Sequence, residues 1–262
     1  GQAGHLKALL AVSPRPMRIF GVDQDPDAIL RCRAELADYP VDFYQMNFSE
    51  FLSQSTHRFD RILIDLGVSS FQLDEAQRGF SFRQDGPLDM RMNPNEGQPV
   101  WKWLEQCGEK DLADVAWKFG EDRQSRLWAR RWVHARKAGP VQTTREFVEA
   151  LGFRLDSKDR KGHHPLTKLF QALRIFINDE LGHLQRALEI LPSKMNKNAR
   201  LGIISFHSLE DREVKWGLRG RLRALNKKVI QGSDAERQMN PRSRSAKLRV
   251  FIKDGDEEDN HH

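Results

Sequence analysis

Short apolar segments that end in an acidic residue constrain the fold of this chain more than any other feature of its sequence. Three segments have the composition of short buried strands: residues 19–22, 41–46 and 59–64. Asp23 ends the first of them and Asp65 ends the last. Residues 28–37, between the first two segments, have the composition of a helix. Alternating strands and helices predict an α/β fold with parallel strands.

After residue 92 the chain shows a helical pattern, and after residue 167 the alternation of strands and helices resumes. Residues 93–167 combine helical segments with five of the six tryptophans, which predicts a small helical module inserted into the α/β domain. One of its helices is predicted to begin at a capping box formed by Thr143 and Glu146. Further on, we predict one long amphipathic helix at residues 168–191 and strands at residues 200–206 and 247–253. The predicted segments are therefore residues 1–92, 93–167 and 168–253 and an acidic tail at residues 254–262.

The chain begins with a small-residue loop, Gly-Gln-Ala-Gly-His, that opens a predicted helix at residues 6–11. Such a loop normally follows a strand, so we expect the first strand of the domain to be missing from this sequence. An acid about 20 residues after such a loop, at the end of the next strand, can accept hydrogen bonds from both ribose hydroxyls, and Asp23 follows Gly4 by 19 residues. This spacing serves nicotinamide dehydrogenases and S-adenosylmethionine enzymes equally. A dehydrogenase fingerprint needs glycine where Ala3 and Leu6 stand, which disfavours that class.

Positive charge is concentrated towards the carboxyl end of the chain. Residues 215–249 hold eleven Lys and Arg against two acids, whereas the whole chain has a net charge of +6. Arg242 and Arg244 lie there among small hydroxyl residues, which favours contact with phosphate over packing in a core. No apolar run approaches the length of a membrane span, and the chain has only two cysteines. We therefore expect a cytoplasmic protein without a disulfide framework.

Six distinctive strings follow one another over nearly the whole chain. They are residues 65–74 (DLGVSSFQLD), 78–82 (RGFSF), 86–92 (GPLDMRM), 170–175 (FQALRI), 204–212 (ISFHSLEDR) and 240–249 (NPRSRSAKLR). With these strings the chain resembles the bacterial 16S rRNA cytosine-N4 methyltransferase family of the RsmH/MraW type. It departs from the usual family pattern at Ala3 and Leu6 in the first loop, and at Lys168 and Leu169 before the fourth string.

The resemblance implies a class I S-adenosylmethionine-dependent methyltransferase fold, which is Rossmann-like, with an inserted all-helical domain. It implies S-adenosylmethionine as the methyl donor. The implied acceptor is a cytosine of 16S rRNA in the small ribosomal subunit, near the decoding centre. Carried over position by position, the resemblance assigns the cofactor to Ala3, Gly4, His5, Asp23, Phe48, Asp65 and Gln72.

Methyl transfer to a cytosine amine requires alignment of the reactants and acceptance of a proton. The N4 lone pair is delocalised into the ring, whereas a sulfonium methyl group is already activated, so the reaction needs no metal. Asp65 and His207 are the predicted catalytic residues, and Asp65 either contacts the cofactor or accepts the amine proton. The predicted substrate contacts are Ser205, Phe206, His207, Arg242 and Arg244.

Two local features have more than one interpretation. Residues 78–92 either form a lid whose aromatic side chains stack on a flipped base, or pack these side chains into the core. The serine, histidine and acids of residues 205–211 suggest a hydrolase, but adjacent strand residues point to opposite faces and cannot form a triad. We expect instead that Ser208 caps a helix and that Asp211 completes the capping box.

The function also has a competing hypothesis of another class. A binding-only ribosome-assembly factor could use the same scaffold, and Ala3 and the missing strand motivate this alternative, whereas the retention of Asp23, Asp65 and Gln72 argues against it. The histidine pair at residues 163–164 has no further ligands at useful spacing, so we expect no metal site. The sequence leaves the oligomeric state open, and a homodimer is compatible with it.

Overall fold

The computed structural model describes residues 4–12, 18–159 and 163–255. Ala3 and residues 256–262 of the predicted tail lie outside the described ranges. Asp254, at the start of that tail, forms an ion pair of 2.8 Å with Arg223.

The described residues form six strands. They are β1 (Ile19–Asp23), β2 (Val41–Gln45), β3 (Phe59–Asp65), β4 (Met195–Ser205), β5 (Arg223–Ala224) and β6 (Lys247–Ile252). The predicted strands are confirmed, although β4 begins before residue 200. Asp23 and Asp65 are the last residues of β1 and β3, as the sequence pattern predicts.

The same residues form twelve α-helices. They are α1 (Gly4–Val12), α2 (Pro26–Glu35), α3 (Phe48–Gln54), α4 (Ser70–Asp74), α5 (Val100–Gln106), α6 (Glu109–Gly120), α7 (Ser125–Ala135), α8 (Thr144–Ala150), α9 (Thr167–Ile177), α10 (Glu180–Ile190), α11 (Ser208–Gly217) and α12 (Asp234–Met239). The capping box predicted at the start of α8 is confirmed, because the Thr143 side chain accepts a hydrogen bond from the Glu146 amide.

Two sheets organise these strands. In the first, β1 and β2 are parallel, with Asp23 opposite Gln45. The second has the order β3-β4-β6-β5, in which β3 and β4 are parallel and β6 is antiparallel to both of its neighbours. Asp65 lies opposite Ile204 in the parallel pair. The α/β class with parallel strands is therefore confirmed.

The chain divides into two compact units, each with its own hydrophobic core. Residues 1–45 and 68–179 belong to the first unit, and residues 46–67 and 180–262 to the second. The core of the first unit contains the buried Trp128 and Trp132, with Trp101 and Trp103 packed against it. The predicted aromatic helical core is thus present. The core of the second unit lies between its sheet and the helices α3, α10 and α11.

The core of the first unit extends beyond the predicted helical segment. Met92 lies before residue 93, Leu169 and Phe170 lie after residue 167, and all three belong to the same buried cluster as Trp132. The predicted boundaries at 92/93 and 167/168 are therefore not breaks in packing. The apolar residues on both sides of these positions contribute to one core, and residue composition does not reveal that.

The single helix predicted at residues 168–191 is wrong, because the structure has α9 and α10 there. Asn178 follows α9, and its amide donates to the carbonyl oxygens of Met90 and Arg174. Asp179 then adopts a left-handed conformation with φ of 45°, which an α-helix does not accommodate. The apolar spacing continues on both sides of this break, so the sequence pattern gives no sign that the helix ends here.

Candidate functional site

Asp23 is held in a defined turn at the carboxyl end of β1. Its Oδ1 accepts a hydrogen bond of 2.9 Å from the backbone amide of Asp25. Asp25 in turn caps α2, since its Oδ1 accepts from the amide of Asp27. The turn therefore fixes the position of the half-buried Asp23 carboxylate, the predicted acceptor for ribose hydroxyls.

A buried polar network lies next to this turn within the first unit. The second carboxylate oxygen of Asp25 accepts hydrogen bonds of 2.8 Å from Gln72 Nε2 and from Arg78 Nη1. Arg78 also donates to the carbonyl oxygens of Arg91 and Met92, at 3.1 and 2.7 Å. Sequence reasoning missed Asp25 and Arg78. The Asp-Pro pair at the start of α2 is the signal that could have identified the cap.

Gln72, a predicted cofactor residue, is part of this network. Its Oε1 accepts a hydrogen bond of 2.9 Å from the Ser69 amide and completes the capping box of α4. Its Nε2 binds Asp25. Both ends of the Gln72 amide thus bind other residues of the first unit, and contact of this side chain with a cofactor stays a prediction.

The interpretation of residues 78–92 as a lid is wrong, because most of the apolar side chains of this segment are buried. Phe80, Met90 and Met92 are buried in the core of the first unit. Phe82 packs edge-on against Phe170, with ring centroids 4.9 Å apart. Arg78 holds the end of the segment through two carbonyl oxygens. The alternative interpretation, in which these side chains pack into the core, is confirmed.

The first predicted loop is described from Gly4 onwards. Gly4 and His5 are the exposed first residues of α1, and Ala3 lies outside the described residues. Among the described residues, a Cβ atom placed on Gly4 would have no neighbour within 4 Å.

In the second unit, β3 and β4 place two predicted site segments next to each other. Asp65 is exposed at the end of β3, and the following amide of Leu66 donates a hydrogen bond of 3.0 Å to Ile204. Ser205 ends β4 and is buried, with its hydroxyl 3.4 Å from the Lys247 carbonyl oxygen. Asp65 and residues 205–207 therefore share the carboxyl edge of this parallel strand pair.

The start of α11 differs from its predicted form. His207, not Ser208, is the N-cap residue, and the capping box is completed by Glu210, not Asp211. The buried Glu210 carboxylate accepts from the Phe206 amide at 2.7 Å and lies 3.1 Å from His207 Nε2. Histidine is an uncommon N-cap, whereas serine is a preferred one, so propensity indicated the wrong residue.

Asp211 has a different role from the predicted one. It pairs with Arg249 at 2.8 Å and with Lys247 at 3.5 Å. Burial alone would raise the pKa of Asp211, but the hydrogen bonds and charges of Arg249 and Lys247 outweigh it and hold the pKa below its usual value. This carboxylate therefore fastens α11 to β6, with its charge balanced by two cations.

Three other predicted site residues lie in the second unit. Phe48 is the first residue of α3 and packs, partly buried, against the core of this unit. Arg242 and Arg244 lie in a short 3₁₀ turn, Pro241–Ser245, where Arg244 is exposed and Arg242 half-buried. Ser243 between them is buried and fixes the turn through its hydroxyl, which donates to Asn240.

Two other kinds of site are absent from the described residues. Within their ranges, no group of three or more His, Cys, Asp or Glu side chains is placed to hold a metal ion. His164 instead accepts a hydrogen bond from the Leu166 amide at Nδ1 and lies 2.9 Å from the Arg154 carbonyl oxygen at Nε2. None of the described helices has the length and apolar composition of a membrane span.

The sequence matches one family and its members over almost its whole length. A family model described as the MraW methylase family matches residues 1–254. "Ribosomal RNA small subunit methyltransferase H" of Nostoc punctiforme is 44% identical over 258 residues, which cover 97% of this chain and 85% of the relative. The protein of the same name from Synechococcus elongatus is 45% identical over 255 residues, or 95% of this chain and 84% of the relative.

Proposed function

Because the chain belongs to the MraW methylase family, we propose that it transfers a methyl group from S-adenosylmethionine to N4 of a cytosine in 16S rRNA. The observation that carries this proposal is the match of the family model to residues 1–254. The relatives in Nostoc punctiforme and Synechococcus elongatus are named as small-subunit rRNA methyltransferases. We place the target cytosine near the decoding centre, and the protein in the cytoplasm, where small subunits assemble.

The proposed fold is a class I methyltransferase domain with a helical insertion at residues 93–167. Two observations support it. β1 and β3 each run parallel to a neighbour in their own sheet and end in an acid, and helices α5 to α8 are consecutive in the inserted segment. Open α/β folds of this kind bind ligands at the carboxyl ends of the strands, where Asp23 and Asp65 lie.

The residues present fit S-adenosylmethionine by their donor and acceptor chemistry. The cofactor supplies an activated methyl group on its sulfonium. The Asp23 carboxylate can accept hydrogen bonds from both hydroxyls of a ribose, and its turn keeps it at the strand end. Gly4 begins α1, and backbone amides at a helix start can approach a ligand. Proposed further contacts are those of Ala3, His5, Phe48 and Gln72.

We assign acceptance of the amine proton to groups at the carboxyl edge of β3 and β4. An acceptor close to N4 must bind one of its hydrogens, so that the nitrogen lone pair becomes available. Asp65 is exposed at that edge and is the proposed acceptor or cofactor contact. His207, fixed by Glu210, and the adjoining Ser205 and Phe206 would position the base. The sulfonium already activates the methyl group, so the proposed reaction needs no metal.

A calorimetric titration of the full chain with S-adenosylmethionine tests the cofactor role. We expect a saturable heat of binding. The competing hypothesis, a binding-only assembly factor, predicts no heat of binding. The names of the relatives give that hypothesis no support, since they denote a methyltransferase.

A further inference from the structure

The sixth tryptophan of the chain lies on the surface of the second unit. Trp216, near the end of α11, is 52% exposed. Two cations lie over its ring, since Lys215 Nζ and Arg219 Cζ are each 5.0 Å from the ring centroid. An exposed aromatic ring with two cations beside it offers a face for stacking together with positive charge for an anionic ligand.

The segment from Lys215 to Lys228 carries charge of one sign, whereas Glu213, one turn before Trp216 in α11, accepts a hydrogen bond from Gln185. Residues 215–228 contain six Lys and Arg and no acid, and all six side chains are exposed. Within the described part of the chain, Lys215, Arg219 and Arg221 form no ion pair, whereas Arg223 pairs with Asp254. These three cations are therefore available to a polyanion without the cost of breaking an existing pair.

We propose that Trp216 is a stacking platform for an unpaired RNA base and that Lys215, Arg219 and Arg221 bind the adjoining phosphates. Aromatic rings that alternate with exposed cations suit single-stranded nucleic acid, because every base has a face that can stack and every nucleotide carries a negative charge. This inference rests on the proposed function only in its choice of RNA as the polyanion.

Another exposed tryptophan shows what distinguishes this surface. Trp117 in α6 is 61% exposed, but Asp114 lies one turn before it and Glu121 one turn after it. Trp117 is therefore a control with similar exposure and with acids on both sides.

The test measures binding of a short unstructured pyrimidine-rich RNA, and of a duplex RNA of the same length, to the full chain. We expect Trp216→Ala to weaken single-strand binding roughly 5- to 150-fold and to leave duplex binding nearly unchanged. Trp216→Phe should lose less single-strand affinity than Trp216→Ala, and Trp117→Ala should keep the affinity of the unaltered chain. The double variant Lys215→Ala with Arg219→Ala should weaken binding of both RNAs. Its slope of log affinity against log salt should become shallower by about 0.7 for each phosphate that is no longer bound.

Equal single-strand affinities of Trp216→Ala and Trp117→Ala would overturn the inference. So would binding of this surface to vesicles of anionic phospholipid in place of RNA. Methyl transfer by the unaltered chain is measured separately. If transfer occurs while Trp216→Ala binds RNA normally, the surface assignment fails and the proposed function stands. If RNA binding depends on Trp216 while no methyl group is transferred, the proposed function fails and the surface assignment stands.

Discussion

The guanidinium of Arg78 donates a hydrogen bond of 2.8 Å to the carboxylate of Asp25, and both side chains are buried. The pair joins the capped start of α2, directly after Asp23, to the packed segment that ends at Met92. A buried pair of this kind costs desolvation, but the loss of one partner costs more, because it leaves an uncompensated charge.

Arg78→Met should therefore lower the free energy of unfolding by about 3–5 kcal/mol. The control is Arg145→Met, because Arg145 forms a largely exposed pair with Asp85 at 3.4 Å. That control should lose less than about 1 kcal/mol. Urea unfolding measures both. Adding Asp25→Asn to Arg78→Met should recover part of the lost stability. Equal losses of stability in Arg78→Met and in the control Arg145→Met would contradict the account.

Asp23→Ala should weaken binding of S-adenosylmethionine by about 1–3 kcal/mol, because two ribose hydroxyls would lose a charged acceptor. Asp23→Asn removes the charge but keeps the turn, because the asparagine side-chain oxygen can still accept the hydrogen bond from the backbone amide of Asp25. The control is Asp42→Ala, which removes an exposed carboxylate paired with Arg18. Calorimetry gives the three affinities, and an unchanged value for Asp23→Ala would refute the ribose assignment.

Asp211 should make stability depend on pH in a defined direction. Its pKa in the folded chain is lowered below the ordinary value of 3.8. Its contribution is therefore fully present above that value and is lost as the pH falls through the folded pKa. Asp211→Asn should be less stable than the unaltered chain near neutral pH, and the difference should shrink as the pH falls below 3.8. The highly exposed Asp234 is the control, and Asp234→Asn should show little difference at either pH.

Neutralising Arg242 and Arg244 with glutamine should weaken RNA binding and leave S-adenosylmethionine affinity unchanged. The slope of log affinity against log salt should become shallower by roughly 0.7–0.9 for each phosphate that is no longer neutralised. Replacement of Lys110 and Lys118 in the acid-containing α6 is the charge-matched control. An unaltered slope with a lower melting temperature would show that the two arginines serve the fold instead.

Local patterns were sufficient to predict the parts of the structure that depend on nearby residues. The strands that end at Asp23 and Asp65 and the Thr143 capping box follow from composition and spacing over a few residues. The same holds for the exposed position of Arg244. In each case the stabilising groups lie within the segment itself.

Features that depend on distant partners were not predictable in this way. Arg78 meets Asp25 across 53 residues of sequence, and nothing in either segment indicates the other. The break at Asp179 coincides with hydrogen bonds between Asn178 and residues 90 and 92. The apolar residues of the segment 78–92 suit a lid and a core equally. Only the packing of the first unit decides between them.

The most direct test of the central claim is methyl transfer from labelled S-adenosylmethionine to small ribosomal subunits, followed by nucleoside analysis of the 16S rRNA. The account predicts label in N4-methylcytidine with the unaltered chain. It predicts that Asp65→Ala, a change at an exposed strand end, loses most of this label while its melting temperature stays the same. No label, label in another nucleoside, or full transfer by Asp65→Ala would contradict it.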